Sequence, residues 1–272
     1  MSGSREALRR GLKLAVARCY VRVKGGNREP SWLVWEVFLP LLMISSVIYS
    51  YRSMGAPEEF VGFVIIGGAM MSFWLNVTWG MGSMFYWEKE KGNLELVVAS
   101  GAPLSGLLLG MALGGMFNTS IRAAAIVLLG TLIFGARFDA SRIPSALAVF
   151  TLTMAALYGL GMALASIYLM YARSGWRLSE ALEEPMMFLS GMYYPISVFP
   201  RLMQLVACLF PLTIGIDGVR RSLVLGAGIY ELSGHIIALS AMAAVSIYAA
   251  IWLLRRMERV ARREGRLVLR WA

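Results

Sequence analysis

Six stretches of this chain run apolar for about twenty positions or more with almost no charge, at 32–51, 60–85, 104–134, 144–171, 185–210 and 236–254. A helix needs about 20 such residues to cross a hydrocarbon core roughly 30 Å thick, and it satisfies its own backbone groups where no water can. Composition agrees: 58% of the residues are hydrophobic and 15% charged, whereas a soluble domain carries about 25% charged residues. Stretch 104–134 is long enough to tilt or to project beyond the bilayer, and 185–210 is broken by prolines. The expected fold class is an all-α integral membrane protein with six transmembrane helices. It forms one transmembrane domain over 1–272, with an interfacial segment at 1–31, the six-span region at 32–254 and a basic tail at 255–272.

Positive charge orients these spans. Nineteen Lys and Arg fall before the first span, after the sixth, or in the loops after spans two and four; six fall on the other side (Arg52, Arg137, Arg142, Arg201, Arg220, Arg221), and Arg122 lies within a span. Both termini are thus expected on the cytoplasmic side of a cell membrane, which requires an even number of spans. The net charge of +10 is placed to meet anionic lipid headgroups, not nucleic acid. Leu8, Leu12, Ala15, Cys19 and Val23 recur at helical spacing opposite Arg9, Lys13 and Arg22, the pattern of an amphipathic helix lying in the interface. The first thirty or so residues are too rich in Arg to hold the apolar core of a signal peptide. Two cysteines, Cys19 and Cys208, and one histidine, His235, are too few for a zinc site or a disulfide framework.

Between spans two and three lies YWEKEKGNLELVVAS, 86–100, with five charged residues in fifteen. Gly92 permits a sharp break, Asn93 is a favoured N-cap residue, and Leu94, Val97 and Val98 then share one helix face. Ser100, Gly101, Ala102 and Pro103 end that helix. A helix so short is poorly stable alone and needs a surface to dock on. A solvated hairpin between the spans is the plainer alternative.

The stretch WEKEKGNLELVVAS resembles the cytoplasmic loop of ABC-2 type transporter permeases, in which Glu-Arg-Glu-x-Gly-Thr-x-Glu precedes apolar residues and a Ser/Thr-Pro. Glu88, Glu90, Gly92, Glu95 and the Leu94 and Leu96 positions match; Lys89 replaces the usual Arg and Asn93 the Thr, and Gly101 and Ala102 intervene before Pro103. A second stretch, PMMFLSGMYYPISVFPRLMQLVACLFPLTIGIDGVR, resembles that family's fifth-span signature through Phe188-Leu189-Ser190-Gly191, Pro195, Pro200, Pro211-Leu212-Thr213, Asp217 and Arg220. The resemblance implies a permease subunit of an ABC exporter. Such a subunit pairs with a second, identical or different, permease subunit, and docks a separate ABC ATPase through its loop helix. Glu88, Glu90, Gly92, Asn93, Leu94, Glu95 and Val98 would be the contacts, and ATP and Mg would sit on the partner. Exported cargo in the family includes lipids, polysaccharides, drugs and peptides.

The chain carries no P-loop, because none of its four lysines (Lys13, Lys24, Lys89, Lys91) follows a glycine. It is not expected to be an enzyme or to bind a cofactor or metal. Polar groups within spans are expensive: Glu36 is expected to pair with a nearby cation or to act in gating or proton coupling, and Arg122 to face Asn118, a carboxylate or a wet cavity. Gly106, Gly110 and Gly114 give one flat face for close packing, within the subunit or at a dimer seam. The Met, amide and aromatic groups of spans two and five could receive amphiphilic cargo, with Asn76, Trp79, Phe188 and Tyr193 as candidates; packing alone would also account for them. Spans two and five line the central cavity in the resembling family. The chain after Pro195 should form short re-entrant or surface helices on the outer side, since proline removes backbone donors. Two rivals fare worse. A rhomboid-like intramembrane protease needs a Ser-His pair that His235 does not suggest. An ATP-independent carrier of the repeat type would show paired broken helices, and none is evident.

Overall fold

The computed structural model describes residues 2–169 and 175–263, and among them there are helices, turns and no strand. Tyr171 and Arg173, at the expected end of span four and in the loop beyond it, and Arg266 and Arg270 of the tail lie outside the described residues. The helices are α1 (Ser2–Gly26), α2 (Pro30–Ser53), α3 (Glu59–Leu75), α4 (Met84–Glu90), α5 (Asn93–Ala99), α6 (Leu104–Phe134), α7 (Ile143–Tyr168), α8 (Gly175–Leu189), α9 (Arg201–Ala207), α10 (Pro211–Leu223) and α11 (Ser233–Arg263). A π-helical segment, Asn76–Gly82, joins α3 to α4. Spans three and four match the expected starts within a residue, because Pro103 and Pro144 mark them.

Among the described residues five helices are long and apolar enough to cross a membrane, or six if α9 and α10, bent by 98°, count as one broken span. The expected fifth span at 185–210 is therefore corrected. The helix there is α8, which begins ten residues earlier and stops at Leu189; at 1.5 Å per residue it is about 22 Å long, short of a full crossing. Hydropathy missed its first ten residues because Arg177, Glu180, Glu183 and Glu184 sit there. After it Gly191 turns with φ +67°, and Pro195 and Pro200 open the caps of a 3-10 turn and of α9. The expected short helices after Pro195 are thus present, as the sharply bent α9–α10 pair.

The main core lies among α2, α3, α6, α7 and α10, with Phe73, Trp74, Ile126, Leu157 and Ile216 buried at its centre. A smaller cluster joins Phe85, Leu94, Leu104, Leu108, Leu169, Leu254 and Ala261. It gathers α4, α5, the start of α6, the end of α7 and the end of α11 at one end of the bundle, here called the foot end. At the far end Arg52 donates to the Phe134 carbonyl at 2.8 Å.

Helix α1 settles which helix meets the glycine stripe of α6. It packs along α6 in parallel: a methyl on Gly106 would overlap the Gly11 backbone, one on Gly110 the Ala15 carbonyl, and one on Gly114 the side chain of Arg22. The three glycines therefore seat a helix of the same chain. The face α1 turns inward carries Gly11, Ala15, Arg18 and Arg22, while Leu8, Leu12, Val16 and Tyr20 are exposed. Arg22 is not opposite the packed face but on it, because small residues, rather than the most apolar ones, permit close backbone approach.

Candidate functional site

At the foot, α4 and α5 form a hairpin turning at Gly92, whose φ of +71° lies in the left-handed region that a side chain disfavours. Gly92, not Asn93, takes the N-cap position; Asn93 is the first helical residue and makes no capping bond. The inner face of α5 is fixed by Leu94, which is 0% exposed, with Val97 and Val98 packed beside it on Phe85, Leu104 and Leu108. Burying a leucine to that extent contributes roughly 1.5–3 kcal/mol, so the chain itself supplies the surface that the short helix needs. Ser100 caps the end: its hydroxyl donates to the Val97 carbonyl at 2.7 Å and accepts from the Ala102 N–H at 3.3 Å.

The charges of the loop divide by face. Glu88 is 4% exposed and forms an ion pair with Arg18 of α1, whose Nε also donates to the Met111 sulfur at 3.1 Å. Glu88 and Leu94 are thus turned into their own subunit and offer a partner no surface, which corrects their place among the expected contacts. Glu90 is exposed, and Gly92, Asn93, Glu95 and Val98 are half-buried. Leu96, 71% exposed, and Trp87, 53% exposed, add an outward apolar surface that spacing did not single out.

Above the foot lies a polar layer. Arg122 Nη1 and Glu36 Oε2 pair at 2.6 Å between α6 and α2, so each intramembrane charge finds the other. Asn118 turns to α1 instead, donating to the Arg22 carbonyl and accepting from the Asn27 amide, both at 3.1 Å. Burial first, then the nearby charges of Arg18 and Arg122, push the Arg22 guanidinium below its usual pKa. Asn76, in the π-helical segment, accepts from the Tyr158 hydroxyl at 3.1 Å. The same segment holds α8: the Thr78 carbonyl accepts from Ser179 Oγ at 3.1 Å, and the Trp79 indole N–H donates to Glu183 Oε2 at 2.6 Å. A π turn breaks the regular ladder, and such turns recur at functional sites.

The four candidate cargo residues separate. Tyr193 lines an open groove of about 200 Å³ between α2, α3 and α8, and Trp79 reaches that groove through Glu183, which also lines it. Asn76 faces Tyr158 instead. Phe188, 51% exposed, stacks with Tyr194 and Phe199 in an aromatic trio whose ring centroids are 5.0–6.4 Å apart.

Arg220 is one of the six cations expected on the far side. It is 3% exposed. Its guanidinium donates to the carbonyls of Phe63 at 2.8 Å, Gly191 at 2.6 Å and Met192, and lies 3.4 Å from the Phe63 ring centroid. One signal for it existed: Gly67, mid-span, is where a methyl would overlap both Arg220 and the Met192 carbonyl. On the next turn Asp217 accepts from Arg221 Nε at 2.7 Å and pairs with His235 at 2.8 Å, so the lone histidine has a structural partner.

The family model described as ABC-2 type transporter matches residues 14–224, from within α1 to the end of α10, and the chain belongs to that family. It is a membrane component of a transporter, of the kind that generally works with a separate ABC ATPase. Comparison with curated proteins gives no match.

Proposed function

We propose that this chain is one half of the permease of an ATP-driven exporter in the cell membrane, with both termini and α5 in the cytoplasm. A second permease subunit completes the path, and a separate ABC ATPase, holding ATP and Mg, grips the foot. Its cargo is an amphiphilic, lipid-linked or drug-like molecule. The observation that carries this reading is the two-faced α5. Leu94 locks one side of α5 into the subunit's own core, while Leu96 stands outward on the other, beside the exposed Trp87 and Glu90 of α4. A helix held rigidly from behind and exposed in front can transmit a push to α4 and α6, which it packs against.

The outward residues Glu90, Glu95 and Leu96, positioned by the Gly92 turn, would touch the motor. Glu88 and Leu94 would act behind them, as positioning residues. Tagged chain purified from its native membrane should bring down an ABC ATPase at about one copy per permease. Glu90→Gln and Gly92→Val should abolish the stimulated ATPase rate while the permease stays folded. Full coupling in both variants would refute the role of the foot, and recovery of the permease alone under complex-preserving conditions would favour a carrier that uses no ATP.

A further inference from the structure

The carboxylates turned into the helix bundle are not all treated alike. Glu36 has Arg122, and Glu88 has Arg18. Glu183 has no Lys or Arg partner among the described residues; its one neighbour of opposite polarity is the Trp79 indole N–H on Oε2. An unpaired carboxylate inside a membrane protein is costly, and such residues mark ligand paths.

Among the described residues Glu183 is also the single charged one lining the groove between α2, α3 and α8. The remaining wall is apolar and soft, with Met43, Met71, Met187 and Met192 on separate elements and the Tyr193 ring beside them. Unbranched thioether side chains adapt to varied apolar shapes, and an aromatic face attracts cations. The groove sits at mid-depth: Met71 and Leu75 lie near the middle of the helical path Glu59–Glu90, and Met43 at the middle of Leu33–Ser53. There an uncompensated negative charge acts over a longer range than in water.

We infer that this groove is a binding site for amphiphilic cations, with Glu183 facing the positive centre and the methionines and Tyr193 taking the apolar body. Trp79 is the positioning residue: its N–H fixes one carboxylate oxygen and leaves the other to the ligand. This rests on the transport reading and narrows its cargo to one charge class. Charge complementarity selects the occupant, since among the described residues no cationic side chain lines the groove to welcome an anion.

Tetraphenylphosphonium and tetraphenylborate test it, because they share size and shape and differ in the sign of their charge. Equilibrium dialysis against the purified full-length chain in nonionic detergent, corrected for empty micelles, reads binding without any ATPase. The cation should bind, and Glu183→Gln should weaken it about tenfold, equivalent to about 1.4 kcal/mol, leaving the borate ion unaffected. Met187→Trp, which fills the groove, should weaken the cation as well, and thermal unfolding of each variant checks that it remains folded. Equal cation affinity in Glu183→Gln, or borate bound as tightly as phosphonium with the same dependence on Glu183, would overturn the assignment. So would quantitative crosslinking of Met187→Cys to a second copy that the cation does not compete with, since the groove would then be an interface. Because the assay needs no partner, its failure leaves the foot variants above to be judged separately.

Discussion

Each end of the bundle is organised around an arginine, buried at the far end and half-buried at the foot, and the two are anchored differently. At the far end Arg220 of α10 reaches three backbone carbonyls on two other segments and a ring face. At the foot Arg18 of α1 meets one carboxylate, Glu88, with 21% of the arginine side chain still exposed. Backbone carbonyls cannot leave their helices, so the first arrangement fixes α10 to α3 and to the turn at Gly191. A side-chain pair between two helices can shear or part without breaking any ladder. The far end is therefore tied together through backbone carbonyls, and the foot through a side-chain ion pair.

The contrast is sharpest in stability. Arg220→Leu strands three buried acceptors and should cost about 3–5 kcal/mol, read by thermal unfolding in detergent; Arg220→Lys should recover only part, having no planar fork. A loss below about 1 kcal/mol would make Arg220 a bystander. Next, Leu94→Ala should cost about 2–4 kcal/mol by opening the small foot cluster, whereas Leu96→Ala on the outer face should stay within about 0.5 kcal/mol. Similar losses at both would erase the two faces of α5. Then a double-mutant cycle over Arg18→Gln and Glu88→Gln should return a coupling of about 1–2 kcal/mol, smaller than the Arg220 effect. Additive losses would mean that α1 and the foot are mechanically separate. Smallest of all, Glu90→Gln should leave the unfolding temperature unchanged while stimulated ATPase activity in the complex falls.

Much of this was legible because the bilayer simplifies the problem. Stretch 104–134 was read to the residue, since Pro103 opens it and Gly135, with φ +75°, closes it. The glycine stripe announced a close helix contact, though not that α1 was its partner. What misled was the reliance on hydropathy where packing decides. α8 begins among four charged residues because the π-helical segment holds it through Ser179 and Glu183, and no apolar run records that. On α1 the spacing marks an interfacial apolar face with Leu8 and Leu12, and nothing in it shows that Gly11 and Ala15 lie against α6. Asn93 looked like a cap by residue type, yet the left-handed turn at Gly92 already occupied that position. Arg220 was hidden beside Arg221: adjacent arginines on an amphipathic helix differ by about 100° in direction, and composition cannot say which one points in. Within the candidate site, Glu90 was legible as an outward charge, whereas the inward turn of Glu88 depends on Arg18, seventy residues earlier.

The position of α5 relative to the membrane and the motor decides most. A single thiol placed by Leu96→Cys, with Cys19 and Cys208 changed to Ser, can be challenged in intact cells with a membrane-impermeant maleimide. No labelling until the membrane is opened, and then protection of that thiol by the bound ATPase, is the expected result. Rapid labelling from outside intact cells would put the foot on the wrong side and contradict its role as the grip of an ATP-driven engine.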